Sequence, residues 1–126
     1  MTLADWLADR WISADWQLSI AYNAALQLAT LALVAEGYRP GRERAHERAI
    51  LSLRHTAGIP GKTVDLLDAV RRKRNQAHYE QAGTTSVTEA QELHQVAKAL
   101  RGDVVRWLKR AHPDLCPPGL AREAPT

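Results

Sequence analysis

Apolar residues recur every three or four positions along most of this chain, which is the period of an α-helix that buries one face. The pattern predicts a short first helix and four longer ones, over residues 3–12, 14–36, 42–57, 64–81 and from 87 to about 112. Glycine or proline, which end helices, follows each of the longer ones, at Gly37, Gly58, Gly83 and Pro113. No stretch alternates in the manner of a half-buried strand. The chain is therefore predicted to be helical throughout.

Local signals place some of the helix ends. Ser86 and Glu89 have the spacing of a capping box, and Thr63 is predicted to cap the helix before it. Asp65 and Asp68 are interpreted as acids of that helix's first turn, complementing its dipole. The last helix has the clearest apolar stripe, made of Val87, Ala90, Leu93, Ala97, Leu100, Val104, Trp107, Leu108 and Ala111.

The connections between the predicted helices are short, so neighbouring helices are expected to run antiparallel. The predicted fold class is all-α, an antiparallel up-and-down bundle of four main helices plus a short extra helix. The chain has 126 residues, enough for one domain, which we place at residues 1–112. Residues 113–126 are predicted to form a Pro-rich, mobile tail.

Composition restricts the cellular setting. The single cysteine, Cys116, fits a reducing cytoplasm, where we expect the protein to act. Asn23, Gln27 and Thr30 interrupt the longest apolar stretch, so neither membrane association nor a secretory signal is expected.

Charge is distributed unevenly along the chain. The formal charge is −3 over residues 1–38, +5 over 39–80 and +1 over 81–126, which together give the net +3. The positive charge is thus concentrated in the middle third. This asymmetry indicates an anionic partner, of which RNA is the candidate.

The densest polar feature is the run from Arg71 to Glu80. On a helix, Arg71, Arg74 and His78 share one face, with Asn75 beside Arg74. A guanidinium can hold a phosphate through two hydrogen bonds, and an imidazole can move a proton near neutral pH. This pairing suits phosphodiester cleavage without a metal or cofactor. The structural alternative is that these cations merely complement the dipole at the end of a helix.

Other residues could extend a binding surface or carry a different function. Lys73 belongs to the same basic run, and Arg48 and Arg54 on the preceding segment could widen a groove for RNA phosphates. Arg48 and Arg54 could equally form a solvated, ion-paired face. No histidine has a partner at metal-ligand spacing, so no metal site is expected. An interaction bundle with an apolar patch is the remaining alternative, built from Trp6, Trp11 and Trp16.

Three segments together resemble a known family. They are Ala21–Leu26 in the early long helix, Asp65–Val70 leading into Arg72–Tyr79, and the long final helix. Over residues 3–110 the chain resembles the HEPN superfamily, small helical domains of prokaryotic toxin–antitoxin and defence systems. The resemblance implies a homodimeric, metal-independent endoribonuclease with a cognate antitoxin or nucleotidyltransferase as partner. It also implies that an arginine holds the scissile phosphate and that a histidine assists proton transfer from the ribose 2′-OH.

The family's motif is an arginine, usually followed by a polar residue, with four to six residues before the histidine. His78 matches that histidine. Arg74 is followed by Asn75 but lies only three residues before His78, whereas Arg72 and Arg71 fit the spacing without the asparagine. All three arginines therefore remain candidates. The alternative function is a catalytically inactive HEPN module that binds RNA, a nucleotide or a protein partner.

Overall fold

The computed structural model describes residues 14–39, 41–77 and 86–116, and the side chains of 75–77 lie outside that description. These residues form four α-helices, a final 3₁₀ turn and no strand. The helices are α1 (Ala14–Ala35), α2 (Ala45–Ser52), α3 (Gly61–Ala77) and α4 (Val87–Ala111), and the turn is Pro113–Leu115. The prediction of an all-α helical bundle is confirmed for this part of the chain. The short helix predicted over 3–12 lies outside the described residues.

The core is centred on the contact between α1 and α4, the most extensive between any two of these helices. The buried residues of α1 are Leu18, Ala21, Tyr22, Ala25, Ala29 and Ala32. Four of these are alanines, and such small side chains let a neighbouring helix approach closely. The buried residues of α4 are Ala90, Leu93, Ala97, Leu100, Val104, Val105, Trp107 and Leu108. The predicted stripe of α4 is therefore confirmed except at its ends, where Val87 and Ala111 are exposed.

The start of α4 is set by its own sequence. Ser86 has an extended backbone and its hydroxyl oxygen accepts a hydrogen bond from the Glu89 N–H at 3.0 Å. This bond satisfies one of the amide groups that a helix leaves unpaired in its first turn. The predicted cap is confirmed.

The prediction of a helix over 42–57 is wrong at both ends. Arg44 adopts a left-handed backbone with φ of 56°, so α2 begins only at Ala45. At the other end, the Leu53 N–H bonds to the Ile50 carbonyl in a tighter turn, and Gly58 takes a φ of 67°. Backbone geometry at these residues leaves a helix of 8 residues. Its buried residues are Ala49 and Ile50, whereas Leu51 is exposed.

The start of α3 also differs from the prediction. The Pro60 carbonyl accepts from the N–H groups of both Thr63 and Val64, at 3.0 and 3.2 Å, so the helix begins at Gly61. Thr63 therefore lies inside the first turn and is not the N-cap. Asp65 and Asp68 consequently both lie beyond the first turn of α3, and the prediction that they are first-turn acids is wrong. The apolar face of α3 is formed by Val64, Leu67 and Val70, all buried.

Two polar contacts join the ends of the helices. Glu36, just after α1, contacts His112, just after α4, at 3.0 Å between Oε2 and Nε2. The His112 ring also packs edge-on against Trp107, with ring centroids 5.1 Å apart. Near the other end of α4, Lys73 of α3 pairs with Glu89. The Lys73–Glu89 pair fixes the end of α3, where the predicted functional residues lie, against the start of α4.

The α1 helix is also long and apolar enough to cross a membrane, judged by length and composition only. The three polar interruptions at Asn23, Gln27 and Thr30 do not remove it from that class. A core helix of a soluble protein passes the same test, and α1 contributes six residues to the buried core.

Candidate functional site

The C-terminal half of α3 carries four consecutive basic residues. Because successive positions on a helix point in different directions, their side chains have different surroundings. Val64, Leu67 and Val70 bury one face of α3 against the core. The basic side chains that follow therefore lie at the edge of that buried face or on the opposite, exposed side of the helix. Arg71, Lys73 and Arg74 are half-buried, whereas Arg72 is exposed. Arg71 and Arg72 share one partner, whereas Lys73 and Arg74 each have another.

Arg71 is held by a carboxylate of its own helix. Its Nε donates to Asp68 Oδ1 at 2.9 Å, and both side chains are only 16% exposed. Arg72 Nε lies 3.7 Å from the other carboxylate oxygen, with its side chain 65% exposed. Asp68 therefore offsets the positive charge of Arg71 and Arg72 and holds the Arg71 side chain in place. This role replaces the predicted one, since Asp68 lies too far along α3 to complement the helix N-terminus.

Arg74 lies over an aromatic ring from another helix. Its guanidinium carbon is 4.9 Å from the ring centroid of Tyr22 on α1, within the range of a cation–π contact. No carboxylate among the described residues pairs with this guanidinium. The contact with Tyr22 restrains the side chain without occupying its N–H donors. Arg74 can therefore present those donors to an anion.

Tyr22 is itself unusual for a core residue. It is 2% exposed, and its buried hydroxyl has no hydrogen-bond partner among the described residues. Burial raises the pKa of the Tyr22 phenol above its ordinary value, and the nearby Arg74 and Arg71 guanidinium groups partly offset that rise. The phenol is therefore neutral at physiological pH. Tyr22 serves here as a neutral aromatic platform beneath a cation.

Lys73 points to a different neighbour. Its Nζ pairs with Glu89 Oε2 in the first turn of α4, and this hydrogen bond lowers the pKa of the Glu89 carboxyl below its ordinary value. The pair joins α3 to α4 across the connection between them. Lys73 was predicted to bind RNA, but its charge is engaged in this surface ion pair.

Arg54 pairs with an acid near the other end of α3, and Arg48 belongs to α2. Arg54 Nη2 lies 3.4 Å from Asp65 Oδ1, with the side chains 50% and 74% exposed. Its guanidinium lies over Gly61, where a Cβ would come within 2.7 Å of Nη2. Asp65 and Arg74 are nine positions apart on α3, which is about 14 Å along the axis. Arg48 is exposed on α2. The grouping of these two arginines with the α3 cluster in one RNA surface stays a prediction.

Two predicted residues have no described side chain. Asn75 belongs to the last turn of α3, with its side chain outside the description, and His78 lies outside the described residues. Their position beside Arg74 stays a prediction. Trp6 and Trp11 also lie outside, whereas Trp16 is exposed at the start of α1. Within the described ranges, no three side chains of His, Cys, Asp or Glu are grouped as metal ligands.

Sequence reasoning missed two residues of this cluster. Tyr22 was noted only as part of the Ala21–Leu26 segment, and Asp68 was assigned to the helix end. One local signal was available for Asp68, because an acid three and four positions before two arginines predicts ion pairs on a helix. No local signal identifies Tyr22, since its partner comes from another helix.

Comparison with known proteins adds nothing to this geometry. No protein-family model matches the chain, and neither a curated protein nor a solved structure matches it.

Proposed function

We propose that this domain binds RNA at the C-terminal half of α3 and cleaves it as a metal-independent endoribonuclease, in the manner of the HEPN domains it resembles. One observation carries the proposal. Arg74 is fixed over the Tyr22 ring at 4.9 Å, yet no described carboxylate occupies its N–H donors. A half-buried guanidinium in this state is suited to bind a phosphodiester.

This observation also separates the three candidate arginines. Arg71 is engaged by Asp68 at 2.9 Å, so it would have to lose that carboxylate before binding a phosphate. Arg72 is more than half exposed and lies beside the same carboxylate. Arg74 is therefore the arginine proposed to bind the scissile phosphate, and Arg72 is available to contact a neighbouring phosphate of the RNA strand. Asn75 is assigned to orient His78 or to bind a phosphate oxygen.

The proposed reaction uses the RNA's own nucleophile. His78 accepts the proton of a ribose 2′-OH as its oxygen attacks the adjacent phosphorus. The bond from phosphorus to the 5′-oxygen of the next nucleotide breaks, that oxygen takes a proton from water, and His78 releases its proton to solvent. The products are a 2′,3′-cyclic phosphate and a free 5′-OH. Arg74 stabilises the negative charge that develops on the non-bridging oxygens.

From the same resemblance, we propose a cytoplasmic homodimer in a toxin–antitoxin or defence system, with an antitoxin or nucleotidyltransferase as partner and no membrane association. We further propose that α1, α3 and α4 alternate in direction. Arg74, near the end of α3, meets the first half of α1, and the ends of α1 and α4 meet at Glu36 and His112. In this arrangement α2 is a short segment in the first connection.

The test is cleavage of end-labelled single-stranded RNA by the full chain in EDTA. The parent protein is expected to release fragments with cyclic phosphate ends. His78→Ala is expected to lose this activity, whereas the control His46→Ala, at an exposed position on α2, keeps it. A folded parent that binds RNA without cleaving it would refute the ribonuclease and support the inactive binding module. Activity that survives in His78→Ala would refute the assigned proton transfer.

A further inference from the structure

A groove lies between α1 and α4, on the side of α1 away from the Arg74 cluster. Its volume is about 480 Å³, which is within the range of small-molecule binding sites. Ala24, one of its lining residues, follows Tyr22 by two positions and is therefore about 200° from Tyr22 around α1. The groove shares no residue with the proposed RNA site.

The lining of this groove is aliphatic, with small residues at its floor. The buried lining residues are Ala21 and Ala97, and the larger Ile20 and Leu31 are exposed beside them. No aromatic side chain is among the described residues that line it, so the groove offers no ring on which a flat ligand could stack. A floor of alanines between larger aliphatic side chains suits a flexible alkyl chain.

The ionisable side chains of the groove all belong to α4. They are His94, Lys98 and Arg101, and no acid is among the described residues of the lining. Lys98 and Arg101 are three positions apart, so they lie on the same side of α4, one turn from each other. Lys98 is exposed and pairs with no carboxylate in the described part of the chain. The groove is therefore apolar along α1 and positively charged along α4.

We propose that this groove binds a free, single-chain carboxylate amphiphile of the fatty-acid class. The alkyl chain lies along the α1 wall, and the carboxylate pairs with Lys98 and Arg101 at the α4 edge. From Ile20 to Leu31, α1 extends roughly 16 Å, which accommodates a chain of about a dozen carbons. Removal of the methylene groups from water supplies the affinity, and the two cations select the sign of the head group.

The shape of the groove disfavours a membrane surface and another helix as its occupant. A bilayer surface is flat on this scale, so it would contact Ile20 and Leu31 but not the buried Ala21 and Ala97. A helix is about 10–12 Å wide with its side chains, so only single side chains would enter. One alkyl chain can contact the floor and both walls at once.

This inference goes beyond the RNA function and does not depend on it. Because the groove and the Arg74 cluster are on different sides of α1, groove variants are expected to keep RNA cleavage. Loss of amphiphile binding and loss of cleavage are therefore expected in different variants, and either proposal can fail while the other holds.

The first test is calorimetric titration of the full chain with dodecanoate below its micelle-forming concentration. One dodecanoate is expected to bind per chain. Each two-carbon step from octanoate to dodecanoate should tighten binding by at least about fivefold, because two more methylenes leave water. Dodecyltrimethylammonium has the same alkyl chain with a cationic head group, and it should bind at least about tenfold more weakly than dodecanoate.

Variants on the two walls locate the ligand. Lys98→Glu should weaken dodecanoate binding about tenfold or more and strengthen dodecyltrimethylammonium binding, because the charge at the edge is reversed. Lys62→Glu, the same change at an exposed lysine of α3, should match the parent. Ala24→Phe should abolish binding of both compounds by filling the groove, whereas Ala69→Phe, at an exposed alanine of α3, should not. Circular dichroism checks that the variants fold.

Several results would overturn the proposal. Equal affinity of the parent for the two head groups would remove the role of the cations, and so would equal dodecanoate affinity of Lys98→Glu and Lys62→Glu. Binding that folded Ala24→Phe retains would place the ligand elsewhere. A parent that binds no dodecanoate refutes the site. If that parent binds phosphatidylglycerol vesicles, the occupant is a lipid surface, and if Ala24→Phe converts a dimer to a monomer in sedimentation, it is a second copy.

Discussion

Arginines meet aspartates at both ends of α3, but the two pairs are in different physical states. At the N-terminal end, Arg54 faces Asp65 at 3.4 Å with both side chains at least half exposed. In the C-terminal half, Arg71 and Asp68 are 2.9 Å apart and 16% exposed, and Arg74 lies over the buried Tyr22 ring. Exposed ion pairs contribute little because water already solvates both charges. Burial and the choice of partner, not the number of arginines, therefore separate a functional candidate from a solvated surface.

The largest effect is expected from altering the geometry of Arg74 while keeping its charge. Arg74→Lys loses the planar pair of N–H donors that fits a phosphate, so RNA cleavage should slow by about 10²-fold or more. Arg54→Lys, at the other end of α3, should leave the rate within twofold. Single-turnover cleavage measures both. Equal rates for the parent and Arg74→Lys would contradict the proposal that the Arg74 guanidinium binds the phosphate through two hydrogen bonds.

The next effect is on stability and compares the two aspartates of α3. Asp68→Asn leaves the largely buried Arg71 without its anionic partner and should lower the free energy of unfolding by about 1–3 kcal/mol. Asp65→Asn, whose side chain is 74% exposed in the parent, should change it by less than about 0.5 kcal/mol. Urea denaturation measures the difference. Similar values for both variants would mean that burial does not distinguish the two ends.

A smaller effect is expected at Tyr22, where the raised pKa couples to pH. Above pH ~10 the unfolded chain ionises this phenol while the folded chain keeps it protonated, so stability falls as pH rises. Tyr22→Phe should flatten that fall and, because the hydroxyl is unpaired, should change stability at neutral pH by no more than about 1 kcal/mol. Alkaline denaturation and phenolate absorbance provide the measurement, with Tyr38→Phe as the exposed control. A fall of the same steepness in Tyr22→Phe would contradict the assignment.

The smallest effect concerns the pair between α3 and α4. The pKa of Glu89 is lowered chiefly by the hydrogen bond from Lys73, so the pair stabilises the fold above pH ~4.3 and is lost as pH falls below that value. Glu89→Gln should cost a few tenths of a kcal/mol at neutral pH and nothing in acid. Thermal unfolding at both pH values measures this. If Glu89→Gln cost the same stability in acid as at neutral pH, the ionised Glu89 carboxylate would not be the source of that stability.

Local patterns predicted more of the fold than of the site. The helical period identified all four described helices, and the Ser86 cap was predictable because both of its partners lie within one turn. The start of α3 was missed because a backbone carbonyl, that of Pro60, makes the first bonds. The length of α2 was missed because nothing in the sequence marks Arg44 as left-handed.

The site depends on contacts between helices, which the helical period does not encode. The basic run was evident from the sequence, but the distinction among Arg71, Arg72 and Arg74 required the positions of Asp68 and Tyr22. Arg54 was grouped with them because the sequence shows its charge, whereas its pairing with Asp65, about 14 Å along α3 from Arg74, depends on the fold. The HEPN resemblance remains a prediction that rests on the motif residues themselves.

If the two ends of α3 differ toward RNA, Arg74 and Arg54 must contribute differently to RNA affinity under identical conditions. Affinity for a labelled single-stranded RNA is measured at two salt concentrations for the parent, Arg74→Ala and Arg54→Ala. We predict that Arg74→Ala weakens binding at least about tenfold and reduces the salt dependence by about one phosphate contact, whereas Arg54→Ala matches the parent. Equal losses in both variants, or none in Arg74→Ala, would contradict the claim.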